Sequence, residues 1–587
     1  MLKKYYKYIL ALIIVAVVSV ILPIFNIISS DNFNWRDPWA ITIHSGGYYM
    51  VRLHEIKDGN IFLGNPYFIE HSQEMAPAFF VADWIAYLPA LFGLSLSYSA
   101  VFNLFFWAII FLLLSFYIFI KLGIEKNISA LGGILVYLLG YNLIIDPVSM
   151  QTIYPFYLLV FLAFYLWLEN TASGQKQLFL IFSLTACFYI YTYLWQIALT
   201  ACFLFLIYFF LAKRKKELVI LLKILAAVFF LSTPLFIYTY NQVTHPLYWE
   251  TMRRIGLVNT HWPTAEAFYS GKWVLLSLAL WLWPKFLNKN LASSGRYGLL
   301  STYFSLTGLS LFIVSLSNVI TGKDLELAQH IVRFIKVWLG FSLIAFIYFI
   351  FENFSYFKLS KIEFKKQIVA WILLAMVIFG AAGYSAWPRL NEYSSQLESD
   401  KQIHSALAWL EKEEAKPVVV MADYKSEMNK DIPILTKHYV LFSAAGILHL
   451  LSDEEAEERY LLNGVINNIS LNDIKNDYPL FAGNGNAVHP YKTHNRRVKI
   501  CKIFYLNMLN YDCGRLTDAV SFKGESYFSG LYDQYRKEIT PNIYQELKKF
   551  KVLYILIDKA DIMNLGVLEN RIKEVYQNQK FIIYKVL

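Results

Sequence analysis

Charge is scarce in this chain. Asp, Glu, Lys and Arg make up 16% of its 587 residues, where soluble domains carry roughly a quarter. That composition excludes an ordinary soluble enzyme. Cysteine is equally scarce, with four residues, which excludes a disulfide-dense scaffold. Cys187 and Cys202 fall inside apolar runs and read as packing residues. Cys501 and Cys513 fall in the polar C-terminal region, where a disulfide and two free thiols are both open. There is no CxxC pair, no HExxH, no P-loop and no G-x-S-x-G elbow. Internal repeats, low-complexity tracts and heptads are also lacking.

What is abundant is apolar length. The chain is 57% hydrophobic and 18% aromatic. A helix needs about 20 apolar residues to cross the hydrocarbon core. Runs of that kind lie at 7–28, 99–121, 127–145, 153–169, 177–193, 195–212, 218–240, 273–288, 298–318, 334–351 and 367–387. Residues 177–212 form one uncharged run too long for a single span, with a turn expected near Thr192 and Gln196. The first run has a basic start like a signal peptide, but it is too long for an h-region and no small-x-small site follows. It reads as a retained helix. The expected fold is therefore an α-helical polytopic membrane protein of about eleven spans.

Lys and Arg outnumber Asp and Glu by 53 to 43, a formal net charge of +10. The excess is clustered at Lys3–Lys4, Lys213–Lys216, Lys285 to Arg296 and Lys358 to Lys366. Short basic loops are cytoplasmic under the positive-inside rule, so this basicity does not point to nucleic acid. With the N-terminus in the cytoplasm, all four clusters fall on the cytoplasmic side. The long first loop (29–97), the 241–272 loop, the 319–333 segment and everything after about residue 390 fall outside. Residues 1–389 form the multi-span part. Residues 390–587 lack any span-length run. They alternate short apolar runs (417–423, 438–444, 552–558, 581–587) with amphipathic helical patterns (HSALAWLEKEEA, DEEAEERYLLNGV, NIYQELKKF), as expected of an extracytoplasmic α/β domain.

Three constellations could carry chemistry. Loop one holds Asp31 and Asp37 just past the first span. It continues with YYMVRLHEIKDG, an expected interfacial helix with Tyr48, Arg52 and Glu55, then NPYFIEH with Glu70 and His71. A carboxylate here suits general-base work on a hydroxyl, or a divalent cation such as Mg or Mn. In ELAQHIVRF, Glu326, His330 and Arg333 are spaced i, i+4, i+7, which puts them on one helix face at the outer end of a span. A guanidinium there can grip phosphate oxygens with two donors. The third is the 241–272 loop, where Arg253 and Arg254 on the outer side suggest an anionic partner. The bland readings are a solvated loop, a snorkelling arginine with a satisfied histidine, and a helix resting on headgroups.

Helix one, a long acid-bearing outer loop, the YY..R..E...G pattern and NPY resemble the GT-C superfamily of polyprenyl-phosphate-sugar-dependent glycosyltransferases. That group includes the protein O-mannosyltransferase, aminoarabinose transferase and oligosaccharyltransferase catalytic-subunit families. The multi-span body with an outer C-terminal domain is similar as well, so the resemblance covers nearly the whole chain. It implies a multi-pass protein of the plasma (cytoplasmic) membrane that moves a sugar from a lipid-linked donor to a glycan, lipid or protein acceptor outside the membrane, with inversion. Many such enzymes have an acid a few residues before the Y…R..E helix. Here that stretch is His44-Ser45-Gly46-Gly47, and the nearest upstream acid is Asp37. The resemblance thus makes Asp37 the base, with Asp31 and Glu55 behind it. It makes Arg333, with His330, Glu326, Arg253 and Arg254, the phosphate-binding set, and Tyr48, Arg52, Glu70 and His71 the cavity lining. The rival readings are a flippase or transporter of a lipid-linked or anionic substrate and a non-catalytic membrane scaffold. Against transport, the spans are almost free of charge and show no inverted repeat.

Overall fold

A computed structural model describes residues 2–28, 47–77, 80–144, 149–287, 295–352, 401–487, 489–509, 513, 514, 516, 519–561 and 564–587. The apolar runs fold as helices, because each is long enough to close its own backbone hydrogen bonds where water is absent. They are Leu2–Ile28, Leu96–Lys121, Lys126–Ile144, Ser149–Glu169, Gly174–Ile190, Thr192–Leu211, Lys215–Leu231, Ala265–Leu287, Gly295–Ser315 and Leu327–Glu352. Among the described residues, five helices are long and apolar enough to cross a membrane, or six if a bent pair is one span. The expected run at 367–387 lies outside the described residues. The protein is a multi-pass helical membrane protein with a small sheet-containing C-terminal part.

Two boundaries differ from the sequence reading. The long uncharged run breaks at Tyr191, which is extended at φ −161 and ψ 130. The expected span at 218–240 is bent by 57° between Lys215–Leu231 and Thr233–Val243. Pro234 stands in the first turn of the second piece, where its missing N–H is harmless but prevents a straight continuation. The bundle core is apolar and aromatic, with Trp167, Trp281 and Trp338 fully buried. Some of its polar atoms are paired, Ser277 with Ser342 and the Trp281 and Trp338 indoles donating to Ser342 and Thr307, while the Trp167 indole has no partner among the described residues.

The ends of the bundle differ. At one end Arg296 donates to the carbonyls of Leu122 and Gly123, and Tyr8 donates to Asn127. At the other, the three segments expected outside converge. Strand β1 (Leu257–Asn259) pairs antiparallel with β2 (Lys323–Leu325), so the 241–272 loop and the start of helix Leu327–Glu352 share one ribbon.

The C-terminal part holds a five-stranded sheet built from β3 (Val419–Met421), β4 (Tyr439–Val440), β5 (Val552–Asp558), β6 (Ile572–Gln577) and β7 (Phe581–Val586), in the order β4-β3-β5-β7-β6. β3 is parallel to β4 and β5, while β7 runs antiparallel to β5 and β6. All four expected apolar runs supply strands. β6 was not expected: IKEVYQ is polar because it is the sheet edge, with Lys573 and Glu574 exposed.

Loop one also departs from expectation. The helix Gly47–Lys57 does not rest on a membrane surface with its apolar side. Met50, Val51 and Leu53 share a buried core with Leu407, Val420 and Ile432 of the C-terminal part. The loop then ends in an apolar helix, Val81–Leu91, which packs on Leu96–Lys121. Burying an apolar face against another protein layer removes the same water as a headgroup region would, so the pattern alone does not choose between them.

Candidate functional site

The loop-one helix is held at both faces. Arg52 makes a two-pronged bond to Asp83, at 3.0 and 2.7 Å, with both side chains almost fully buried. Next to it, burial and the Arg52 charge push His449 down to about 3, so that imidazole is neutral at any physiological pH. Glu55 is buried against the C-terminal part. Desolvation raises it to about 7, opposed by hydrogen bonds from Asn60 and Tyr439. The NPY turn is a docking element: Asn65 donates to the Gly446 carbonyl at 2.9 Å and accepts from the Tyr67 and Phe68 amides. Backbone pairing continues from Val440 N–H to the Tyr67 carbonyl at 2.8 Å.

Glu70 and His71 meet helix Asp453–Asn463. The fully buried Arg459 bonds Glu70 at 2.8 Å and Glu455 at 2.8 Å, between the rings of Phe68 and Phe550. His71 bridges Glu74 at 2.7 Å and Glu455 at 3.1 Å. Burial opposes its charge, but the bonds to Glu455 and Glu74 outweigh that and hold the imidazolium up to about 9. A histidine raised in the folded state adds stability fully below its free value near 6.5 and loses it as pH climbs through the folded value. The stability difference between the native chain and His71→Gln is thus expected to be largest near pH 6 and to vanish as pH passes about 9. Thermal unfolding of both proteins from pH 6 to 10 checks this. A pH-independent difference would remove the charge from the account.

Arg254 is also fully buried. It donates to the carbonyls of Ile447, His449 and Leu451 and pairs with Asp453. Its helix, Tyr248–Ile255, lies so close to helix Tyr478–Ala487 that a Cβ at Gly485 would overlap the Arg253 carbonyl oxygen at 1.5 Å. Arg253 is half exposed and lies 3.8 Å from Asp453. Glu70, His71 and Arg254 are therefore brought to docking contacts between the loops and the C-terminal part, and Arg52 to an ion pair within loop one whose charge reaches His449.

The remaining candidates gather where β2 runs into helix Leu327–Glu352. Glu326 precedes that helix, in the left-handed region at φ 51. The expected single helix face is thus wrong by one residue in its first member. The carboxylate still reaches back to His330, at 3.4 Å. His330 lies flat on the Tyr193 ring, centroids 4.3 Å apart and planes 7° apart, and its Nδ1 is hydrogen-bonded to the Tyr191 hydroxyl. Tyr193 itself donates to the Leu325 carbonyl of β2. One turn on, Arg333 is partly buried, and its guanidinium has no hydrogen-bond or ion-pair partner among the described residues. Its charge is felt by Tyr154, Tyr191 and His330, and Tyr154 donates to its backbone carbonyl at 3.3 Å. Tyr49 of the loop-one helix lies within electrostatic reach of Tyr191.

Tyr191 and Tyr193 escaped the sequence reading. Their signal was the alternation YIYTY at the break of the uncharged run, where a backbone turn needs polar side chains to hold it. Asp31 and Asp37 lie outside the described residues, as does the side chain of Tyr48. Among the described residues, no group of three or more His, Cys, Asp or Glu is arranged to hold a metal ion.

No protein-family model matches the sequence, and no curated protein matches it. Solved structures do align along the chain. ArnT from Cupriavidus metallidurans bound to undecaprenyl phosphate is similar at 10% identity and a TM-score of 0.44, covering 99% of this chain and 98% of its own. Two structures of the Archaeoglobus fulgidus oligosaccharyltransferase are similar at a TM-score of 0.42, each covering 95% of this chain and 70% of its own. One is the apo form, at 12% identity. The other, named AglB, is in complex with an inhibitory peptide and a dolichol-phosphate, at 13% identity.

Proposed function

We propose that this chain is an inverting glycosyltransferase of the GT-C kind, taking its sugar from a polyprenyl-phosphate donor. The observation that carries the reading is Arg333. A guanidinium without a partner among the described residues, partly buried at the end of an apolar helix, is costly unless an anion completes it. A phosphate at the bilayer interface is such an anion, and the Tyr191 and Tyr193 hydroxyls with His330 set the polar rim around it. The acceptor hydroxyl attacks the anomeric carbon and the bond from that carbon to the phosphate oxygen breaks. Asp37 takes the hydroxyl proton, and Arg333 holds the charge that develops on the departing phosphate. Tyr49 of the loop-one helix lies near Tyr191, so that helix reaches this cluster. A divalent cation such as Mg or Mn, if bound, would be held by a loop-one carboxylate and would neutralise phosphate charge. The basic clusters favour a cytoplasmic N-terminus and an outer C-terminal part in the plasma membrane.

The test is incubation of the purified full-length chain with a labelled polyprenyl-phosphate sugar and an acceptor extract. Hydrogen bonds to charged groups contribute about 1.5–3 kcal/mol, so Arg333→Ala should weaken donor binding roughly tenfold to a hundredfold. Arg333→Lys should recover only part, because lysine keeps the charge without the fork. Equal donor affinity in all three proteins would end this assignment. Donor binding without sugar transfer to any fraction would favour a carrier of lipid-linked substrates.

A further inference from the structure

One outer segment is not used by the catalytic reading. Residues 489–502 contain Lys492, Arg496, Arg497, Lys499 and Lys502 and no Asp or Glu, and the sequence then runs IFYLNML. The segment folds as helix His489–Ile503 followed by a tight turn, Leu506–Leu509. Phe504, Tyr505, Met508 and Leu509 are 68, 69, 79 and 68% exposed. Four large apolar side chains side by side in water mark a contact surface rather than chance exposure.

The return of the chain is fixed. Cys501 and Cys513 are disulfide-bonded, with Cα atoms 5.7 Å apart. His494 Nε2 is bonded to the Gly514 carbonyl at 2.8 Å. The Asn495 amide donates to the Leu516 carbonyl and accepts from its N–H, at 2.6 and 3.0 Å. The apolar side chains are thus presented from a closed base.

The base continues from the part of the C-terminal region that meets the 241–272 loop. Helix Tyr478–Ala487 leads into His489–Ile503 and packs against Tyr248–Ile255. That helix follows directly on the bent apolar helix Thr233–Val243, whose Ile237 and Tyr240 are exposed as lipid-facing side chains are. We propose that this disulfide-closed finger inserts Phe504, Tyr505, Met508 and Leu509 into the bilayer surface on the side that bears the C-terminal part, with Arg497 and Lys502 on anionic headgroups. Basic charge of one sign beside an apolar, aromatic tip is the pattern of interfacial anchors. The finger would hold the C-terminal part down on the membrane at a second point. The inference does not depend on the sugar-transfer reading.

The test uses the full-length chain in nanodiscs, with Met508→Cys carrying an environment-sensitive fluorophore. Cys187 and Cys202 are buried, so they should not compete for the label. The expected result is blue-shifted emission, quenched at least about twofold by acyl-chain spin labels, as an interfacial insertion requires. A label at Lys573→Cys on β6 should stay water-like and unquenched. Arg497→Glu with Lys502→Glu should lower the quenching in discs with phosphatidylglycerol and leave it nearly unchanged in phosphatidylcholine alone. Water-like emission at position 508 would overturn the proposal. So would shielded emission without lipid quenching, which would point to a protein covering the finger instead.

Discussion

Replacing Asp37 by Asn is expected to lower turnover about 10²- to 10⁴-fold, the usual contribution of a general base, while donor binding stays nearly unchanged. Asparagine keeps the size and much of the hydrogen bonding but cannot accept the acceptor's proton at neutral pH. Two other loop-one acids make contacts of their own. Glu70 is bonded to the buried Arg459, and Glu55 is buried against Asn60 and Tyr439. Replacing either should disturb docking of the C-terminal part, and thus stability together with rate. A loss of rate alone is the result expected of the base, tested at Asp37 first and Asp31 second. Single-turnover kinetics with a saturating labelled donor separate the two effects. Full turnover in Asp37→Asn would move the assignment to Asp31, and full turnover in both would remove the loop-one base from the mechanism.

Arg254→Met should loosen the C-terminal part by about 3–5 kcal/mol, the usual result of removing one partner from a buried charged network. The carbonyls of Ile447 and Leu451 and the Asp453 carboxylate would lose this donor, and the His449 carbonyl would keep only the Thr251 hydroxyl. A penalty of that size is a factor of at least about a hundred in the local opening equilibrium. It should appear as faster hydrogen exchange at amides of 446–463, with helices of the bundle unaffected. Arg254→Lys should rescue little, since one ammonium cannot reach acceptors arranged for a planar fork. Exchange rates within about twofold of the native chain would show that apolar packing, not the guanidinium, holds this contact.

The two arginine motifs show how far the residue pattern could be read. RFIKVW and MRRIGL look alike in sequence, each with arginine beside an apolar stretch. Among the described residues the Arg333 guanidinium has no partner, whereas Arg254 is consumed by carbonyls almost two hundred positions further along the chain, at Ile447 to Leu451. No local signal distinguishes them, because the acceptors that decide the difference are backbone oxygens and carry no residue identity. The same holds for loop one. Its helix was legible at Gly47–Lys57 from the pattern, but not that Met50, Val51 and Leu53 face Leu407 and Val420 rather than lipid headgroups.

The sequence by itself determined the membrane class, the positions of the described long apolar helices and the apolar strands of the C-terminal sheet. Each of these rests on periodicity or length within one segment, where the backbone must close its own hydrogen bonds or bury one face. Only the tertiary structure decided the edge strand β6, the bend after Leu231, the stacking of His330 on Tyr193 and the sharing of one core between loop one and the C-terminal part. Those features depend on contacts between residues far apart in the chain. The free energy of such a contact belongs to the pair, and neither partner's sequence carries it alone.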